Sequence, residues 1–281
     1  MPPGGPAGEA IASALVADVA GLPLPVVLAV AGGVGLLMIG AFTARALRAR
    51  VTKVDDVEGS TGLVVIGEVP ARSLGRPMPS MNGLPLRPVD GLQEICRMLE
   101  HNGLGTAITV LTIVRAEIRG PEASFASDLT QTLAAQGKNV LLVQANLRQP
   151  SGQAAMGLGQ AEGLADLLED EDLDPVTLLV SVAQRLLVLP SGTPHSDPAA
   201  LLARPRLKQV IGTLRDLGFI AIIDAPPAAF ARDVLSLARE ADATLLIVRT
   251  GSRWRDVEAA ARMLRYGDVS DPAAVVVGSR W

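Results

Sequence analysis

The feature that most constrains the fold of this sequence is a regular alternation of short aliphatic runs and longer amphipathic segments between residues 107 and 277. The aliphatic runs are rich in Val, Ile and Leu, which is typical of strands buried on both faces. Amphipathic segments between such strands indicate helices that cover the sheet. The pattern therefore predicts a doubly wound, mostly parallel α/β sheet, in which ligands bind at the carboxyl ends of the strands.

The boundaries of these elements follow from the same pattern. We expect strands at 62–70, 107–114, 139–143, 185–189, 219–223, 243–248 and 273–277. We expect helices at 91–102, 124–136, 163–169, 198–217, 231–240 and 255–266.

An uncharged stretch at 22–44 precedes the α/β pattern. About 20 apolar residues in a helix are enough to span the hydrocarbon core of a membrane, so we predict one transmembrane helix. Arg45, Arg48, Arg50 and Lys53 follow it directly, and the positive-inside rule places the chain after them in the cytoplasm. A cleaved signal peptide is the alternative, but the stretch lacks a basic segment before it and is too long.

The sequence is thus predicted to have four parts. They are an extracytoplasmic tail at 1–21, a transmembrane helix at 22–44, a juxtamembrane strand with a Pro/Gly-rich linker at 45–89, and the α/β domain at 90–281.

Composition excludes several classes of function. A formal net charge of −4 offers no basic surface for a nucleic-acid backbone, so no nucleic acid is expected as a partner. Cys96 is the only cysteine and the chain has two histidines, which do not form a metal-ligand set with it. We expect Cys96 to be a buried thiol on a helix rather than a nucleophile.

Two predicted strands end in polar residues where such a sheet binds ligands. The stretch 137–150 reads GKNVLLVQANLRQP, and the stretch 221–227 reads AIIDAPP. They resemble the second Walker motif, ordinarily ending D-A-D-L-R-x-P, and the Walker B strand of the bacterial tyrosine kinases that regulate capsule and exopolysaccharide synthesis. The stretches 63–70, 94–102 and 189–202 are similar to further parts of that family, in the same order. The resemblance covers residues 63 to about 265.

The resemblance implies a P-loop NTPase-like fold and a site for ATP and magnesium. It also implies a place in a polysaccharide-export complex, with this chain held at the bacterial inner membrane by a single span and its C-terminal domain in the cytoplasm. A polysaccharide copolymerase or a competent kinase chain would be the partner.

The glycine-rich loop of the family, G-E-G-K-S-T, corresponds here to RGPEAS at 119–124. Position by position, Gly120 corresponds to the family's glutamate and Ser124 to its threonine. Glu122 stands where a lysine neutralises the phosphates, so the local charge is reversed, and Ala123 has no hydroxyl for magnesium. The loop is therefore expected to have lost its phosphate-binding chemistry.

The two acids of the second Walker motif correspond to Gln144 and Asn146, so Asp224 is the only one of three carboxylates that remains. Arg148 is interpreted as an ion-pair partner in its loop in preference to a phosphate contact, and Asp224 as a hydrogen-bonded relic in preference to a ligand contact. We expect no catalytic residue, metal or cofactor at this degenerate nucleotide site, which comprises Gly120, Glu122, Ser124, Gln144, Asn146, Arg148 and Asp224.

Glu94, Arg97 and Glu100 lie on one predicted helix. Glu94 and Arg97 match a pattern through which, as the resemblance implies, family members assemble into rings. The family pattern places a second arginine where this chain has Glu100. Like charges would oppose a ring of identical subunits, so we predict that these residues bind a different chain. The alternative is that Glu94 and Arg97 pair along their own helix.

The sequence therefore predicts a non-catalytic, membrane-anchored regulator or scaffold of exopolysaccharide or capsule polymerisation and export. Two alternatives stay open. One is a weakly active, ATP-binding enzyme like a tyrosine kinase, which would need ATP and magnesium. The other is a membrane-bound positioning ATPase of the same superfamily.

Overall fold

The computed structural model describes residues 50–51, 53–75, 86, 88–117, 124–148, 158–159 and 161–278, together with positions 33, 35 and 38. The chain divides into two units, Met1–Ala49 and Arg50–Trp281. The α/β sheet belongs to the second unit.

In the described part of the chain, eight strands form one sheet. They are β1 (Val64–Pro70), β2 (Val110–Arg115), β3 (Val140–Gln144), β4 (Val180–Ala183), β5 (Leu186–Leu189), β6 (Ile220–Asp224), β7 (Ala243–Arg249) and β8 (Pro272–Gly278). The α-helices are α1 (Val54–Thr61), α2 (Leu92–His101), α3 (Phe125–Ala135), α4 (Leu164–Glu169), α5 (Pro198–Leu202), α6 (Arg206–Asp216), α7 (Ala231–Ala238) and α8 (Trp254–Tyr266).

The strand order across the sheet is β1-β8-β7-β2-β6-β3-β5-β4. Neighbouring strands are parallel except for the antiparallel pair β4 and β5. This confirms the predicted mostly parallel α/β sheet. The edge strand β4 was not predicted, because it is only four residues long and only one of them is buried. It therefore carries little aliphatic signal.

The sheet separates two apolar cores. Side chains of α2 and α3 pack against one face, and side chains of α1 and α4 to α8 pack against the other. The central strands contribute alternate residues to both cores, as expected for strands buried on both faces. We call the side covered by α2 and α3 the α3 face.

The single helix predicted at 198–217 is wrong. The structure has α5 and α6 instead, separated by Ala203, Arg204 and Pro205. Proline has no backbone N–H and its ring obstructs the preceding turn. The first helix therefore ends before Pro205, and the second begins after it.

The start of the folded unit also differs from the prediction. The strand expected ahead of the domain is β1, which pairs along its length with β8, and α1 packs against both β1 and α8. The compact unit thus begins at Arg50 rather than near Asp90. The prediction treated β1 as separate because a Pro/Gly-rich segment follows it. Its partner β8 lies about 200 residues later in the chain, so the sequence near β1 gives no sign of the pairing. Most of the Pro/Gly-rich segment lies outside the described residues.

The membrane prediction requires a correction. Among the described residues, no helix is both long and apolar enough to cross a bilayer. This finding contradicts the predicted single-pass localisation in the bacterial inner membrane. The stretch 22–44, from which that localisation was predicted, lies outside the described residues except for positions 33, 35 and 38.

Candidate functional site

The carboxyl ends of β2, β6 and β3 meet at one edge of the sheet. Asp224, the last residue of β6, is paired in register with Gln144 of β3 and with Ile113 of β2. The amide of Ala145 donates to the carbonyl oxygen of Asp224 at 3.1 Å, which holds β3 to β6 where both strands end. Gln144 and Asp224, predicted from separate stretches of sequence, therefore lie on adjacent strand ends.

Three polar side chains at this edge share one face of the sheet. Ile113, Leu142 and Ile222 belong to the core beneath α2 and α3. Each lies two positions before one of the three polar residues, which are Arg115, Gln144 and Asp224. Because side chains alternate between faces along a strand, all three lie on the α3 face. The ends of β2, β3 and β6 thus combine one cation, one amide and one carboxyl group.

The carboxyl group of Asp224 lies in surroundings that disfavour its charge. Burial raises the pKa of Asp224 to about 6, and the positive charge of Arg115 opposes this in part. An aspartate in water has a pKa of about 3.9. Strongly displaced pKa values are frequent at functional sites, so Asp224 marks this edge as a candidate site.

Arg115 is a residue that the sequence analysis missed. It closes β2 and is only 6% exposed. Its carbonyl oxygen accepts a hydrogen bond from the amide of Ala228 at 2.8 Å, which fixes the backbone at the end of the strand. The signal was a single arginine at the end of an otherwise aliphatic run, just beyond the predicted strand.

The two amide side chains of the second Walker-like stretch are at the end of β3 and just after it. Gln144 is 6% exposed. The side-chain oxygen of Asn146 is buried and accepts no hydrogen bond from the residues that the structure describes. Amides carry no charge and cannot act as a base. The strand end therefore offers polar atoms without the negative charge that would attract a metal ion.

Arg148 forms a two-pronged ion pair with Asp233 at the start of α7. Its Nε donates to Oδ2 at 2.7 Å and its Nη2 donates to Oδ1 at 3.1 Å. The guanidinium also lies over the ring of Phe230, 4.6 Å from the centroid. The hydrogen bond with Asp233 raises the pKa of Arg148. These contacts favour the loop ion pair over a phosphate contact.

Ser124 lies at the start of α3, where the glycine-rich loop would deliver a hydroxyl. Its Oγ donates to Oδ2 of Asp128 at 2.7 Å, and the same oxygen accepts the amide of Gly75 at 2.8 Å. The hydroxyl is therefore bonded within the fold. Gly120 and Glu122 lie outside the described residues, so the shape of the loop between β2 and α3 stays a prediction.

Comparison with known proteins finds similarity to bacterial tyrosine kinases, the family that the sequence motifs resemble. Tyrosine-protein kinase YwqD of Bacillus subtilis (strain 168) is 29% identical over 141 residues, which are 50% of this chain and 60% of YwqD. Tyrosine-protein kinase CpsD of Streptococcus agalactiae serotype III is 28% identical over 155 residues, 54% of this chain and 66% of CpsD. No protein-family model matches the chain.

Among solved structures, the kinase domain of the Escherichia coli tyrosine kinase ETK superposes with a TM-score of 0.71 at 20% identity, covering 82% of this chain and 95% of that domain. The chain is similar to bacterial tyrosine kinases. The superposition shows the shared P-loop NTPase-like fold. The chain spans less than two thirds of the length of YwqD and of CpsD.

A cavity of about 920 Å³ lies at the same edge of the sheet, between the end of β2, the start of α7 and α8. Its charged residues are Glu117, Arg253 and Asp256, and Glu117 is paired with Arg249 at 2.5 Å. The rest of its lining is apolar and consists of Ala116, Ala228, Ala229, Ala231, Ala259, Ala260 and Met263. One cation among two acids gives this cavity no bias toward phosphate.

The predicted partner residues lie on the outer surface of α2. Arg97 pairs with Glu94 one turn away, and their side chains are 70% and 58% exposed. Glu100 forms an ion pair with Lys138 at 3.0 Å. Cys96 on the same helix is buried, and burial together with Glu100 raises its pKa to about 12. The structure thus places Cys96 in the core, and it pairs the other three side chains within the chain.

Proposed function

We propose that this chain is a non-catalytic regulator or scaffold in the polymerisation and export of a capsule or exopolysaccharide. The observation that carries the proposal is the charge pattern at the end of β6. Asp224 keeps its carboxyl group, while the cation that acts on it is Arg115 of the chain itself. A phosphoryl-transfer site would require a metal ion and a lysine at this place.

The residues at this edge do not fit the ATP and magnesium that the family resemblance implies. Glu122 replaces the lysine that would neutralise phosphate. Gln144 and Asn146 replace two carboxylates. The hydroxyl of Ser124 is bonded to Asp128. We therefore assign no phosphoryl transfer to the chain, and the relatives' kinase activity is not extended to it.

The proposed partner is a polysaccharide copolymerase or a competent kinase chain of the same export complex, and the proposed docking surface is α2. Exposure of Glu94 and Arg97 supports this choice. Glu100 is partly exposed and paired with Lys138, so an arginine from a partner would exchange with an existing ion pair. Replacing one surface ion pair by another gains little binding energy, so this contact would contribute to selectivity more than to affinity.

One observation favours the alternative of a weakly active, ATP-binding enzyme. Asp224 is retained at the end of β6 and has a raised pKa, as functional carboxylates often do. Under this alternative, Asp224 would contact a nucleotide-bound magnesium ion, and its loss would abolish function.

Gene replacement in the source organism tests the proposal. Three strains are compared with the wild type: one carries a deletion of the gene, one carries Asp224→Ala and one carries Arg97→Glu. We expect the deletion to reduce the polymer, Asp224→Ala to leave it at the wild-type level, and Arg97→Glu to reduce it because a partner contact is lost. Arg262→Glu, an exposed change on α8, is the matched control for charge reversal.

Protein amounts are compared by immunoblot in every strain. If Asp224→Ala lowered the polymer as far as the deletion at an unchanged protein amount, the proposal would be wrong and the enzyme alternative would be favoured. If Arg97→Glu and Arg262→Glu had equal effects, α2 would not be the docking surface.

A further inference from the structure

Two arginines end neighbouring strands at the carboxyl edge of the sheet, Arg115 on β2 and Arg249 on β7. Residues two positions before each belong to the core on the α3 face, so both side chains lie on that face. The guanidinium of Arg249 contacts Glu117 at 2.5 Å. Arg115 is the more buried of the two and is on the strand next to Asp224.

We propose that Arg115 is a built-in counter-ion for Asp224, which takes the electrostatic place of the divalent cation in a nucleotide site of this fold. The inference deepens the proposed non-catalytic function and rests on it. It assigns a role to a residue that none of the sequence motifs includes.

Among the described residues, the strands beside β6 supply few other sources of positive charge for Asp224. β6 has β2 on one side and β3 on the other, and the side chain that β3 supplies on this face is the neutral Gln144. The nearby start of α3 supplies Asp128, a carboxylate that already accepts hydrogen bonds from Ser124 and Gly75. Among the strands that flank β6, the cation at this edge therefore comes from β2.

A buried carboxylate without a compensating charge is costly, and a neighbouring guanidinium reduces that cost. Arginine keeps its charge at all ordinary pH values. Arg115 is also attached to the sheet, so its effect does not depend on the concentration of any ion. A magnesium ion, by contrast, needs several oxygen ligands in a regular arrangement, and the adjacent strand supplies Gln144 and Asn146 rather than carboxylates.

A double-mutant cycle on the full chain tests the assignment. The proteins are wild type, Arg115→Met, Asp224→Asn and the double variant, unfolded with urea at pH 8. Arg115→Met should reduce the ratio of folded to unfolded protein more when residue 224 is Asp than when it is Asn. We expect the two reductions to differ by a factor of about ten to a thousand, because an arginine beside an aspartate changes the pKa of the aspartate by about 1 to 3 units. Arg115→Lys should retain most of this coupling because it keeps the charge.

Arg249→Met is the matched control, as another arginine at the same edge and on the same face. One strand, β2, lies between the strand of Arg249 and the strand of Asp224 in the sheet order, so we expect Arg249→Met to couple to Asp224→Asn by less than about threefold. A coupling of Arg115 to Asp224 that is no larger than this control would overturn the assignment. If Arg115→Met alone does not fold, the double variant should fold by circular dichroism, and an unfolded double variant would also overturn it.

Calorimetry with ATP and Mg²⁺ on the wild type separates this inference from the proposed function. Absent coupling together with absent ATP binding would reject the counter-ion and leave the proposed function standing. Strong coupling together with micromolar ATP binding that depends on Mg²⁺ would reject the proposed function, and it would also overturn the inference that Arg115 takes the place of the divalent cation.

Discussion

Two aspartates at opposite edges of the same sheet show how the two edges differ in the way they accommodate a carboxylate. Asp242 lies just before β7 at the amino edge, where burial raises its pKa but hydrogen bonds from Arg215 and from Val110 and Thr109 outweigh burial and hold the pKa below its usual value. Asp224 lies at the carboxyl edge, where burial raises its pKa to about 6 and Arg115 offsets this only in part. The two side chains have the same chemistry and opposite displacements.

The difference lies in how completely the fold satisfies each carboxylate. Asp242 accepts from the amides of Thr109 and Val110 at 2.8 Å each, from the hydroxyl of Thr109 at 3.0 Å and from Arg215 at 2.5 Å. These contacts fasten β7 to β2 and to α6. The amino edge thus stabilises the fold, whereas the carboxyl edge keeps a charge that the fold supports poorly. Ligand-binding edges of α/β sheets have this character.

The largest expected effect is at the amino edge. Asp242→Ala removes the carboxylate that accepts from the amides of Thr109 and Val110 and that pairs with Arg215. We expect the free energy of unfolding at pH 7 to fall by about 3 kcal/mol, because buried donors that lose their partner cost about 1 to 3 kcal/mol each. Urea unfolding measures it, with Asp216→Ala on α6 as a matched control. A loss below about 1 kcal/mol would remove the contrast between the edges.

The carboxyl edge should respond with the opposite sign. The folded-state pKa of Asp224 is raised to about 6, so the folded protein binds a proton that the unfolded chain has released, and the carboxylate destabilises the fold above pH 6. We expect Asp224→Asn to raise the free energy of unfolding by about 2 kcal/mol at pH 8 and to change it little at pH 4. Unfolding curves at both pH values measure this. A stabilisation that was the same at pH 4 and pH 8 would contradict the assigned pKa.

Asp242 should show the reverse dependence on pH. Its pKa is lowered in the folded state, so its stabilising contribution is complete above the unfolded-state pKa of about 3.9 and is lost as the pH falls through the folded value. We expect the difference between wild type and Asp242→Asn to shrink below pH 4. Acid titration of both proteins by circular dichroism measures it. A difference that persisted unchanged to pH 2 would show that charge is not what stabilises this contact.

Arg148 tests whether every polar pair at the carboxyl edge is poorly satisfied. Its partner Asp233 is 1% exposed, while Arg148 itself is 31% exposed. We expect Arg148→Met to lower the free energy of unfolding by about 2 kcal/mol, less than for a fully buried pair because water reaches the guanidinium. The measurement is urea unfolding, with Arg262→Met as an exposed control. No loss of stability would mean that Arg148 is kept for a ligand rather than for α7.

The smallest effect is expected on α2. Glu100→Gln removes an ion pair with Lys138 in which both side chains are partly exposed, so we expect about 0.5 kcal/mol or less in unfolding. If α2 binds a partner, the same change should weaken co-purification with the neighbouring export proteins far more than it weakens the fold. Light scattering should show a monomer or weak dimer for the purified chain. A stable ring of identical subunits would contradict the proposed surface.

The sheet could be predicted from sequence because each central strand is a continuous aliphatic run with its own signal. The parallel direction of those strands follows from the helices between them. The edge strand β4, the docking of β1 on β8 and the break at Pro205 were missed or misplaced. The docking of β1 depends on pairing between segments that are distant in sequence. The break in the helix depends on one residue, Pro205, inside an otherwise regular pattern. The single-pass membrane localisation, predicted from the hydropathy of 22–44 alone, is contradicted by the described part of the chain, where no helix is long and apolar enough to cross a bilayer.

The candidate site was only partly predictable. Gln144, Asn146 and Asp224 stand out because a motif places them, and the structure puts two of them on paired strand ends. Arg115 belongs to no motif, and its importance depends on which strand neighbours β6 and on which face its side chain lies. That information exists only once β2 and β6 are side by side.

The central claim is that this edge no longer binds a nucleotide and its metal ion, and calorimetry of the full chain with ATP and Mg²⁺ tests it most directly. The account predicts no saturable heat at micromolar nucleotide, for the wild type and Asp224→Ala alike, because Glu122, Gln144 and Asn146 replace the charges that such a site requires. A micromolar dissociation constant for the wild type that is lost in Asp224→Ala would contradict it.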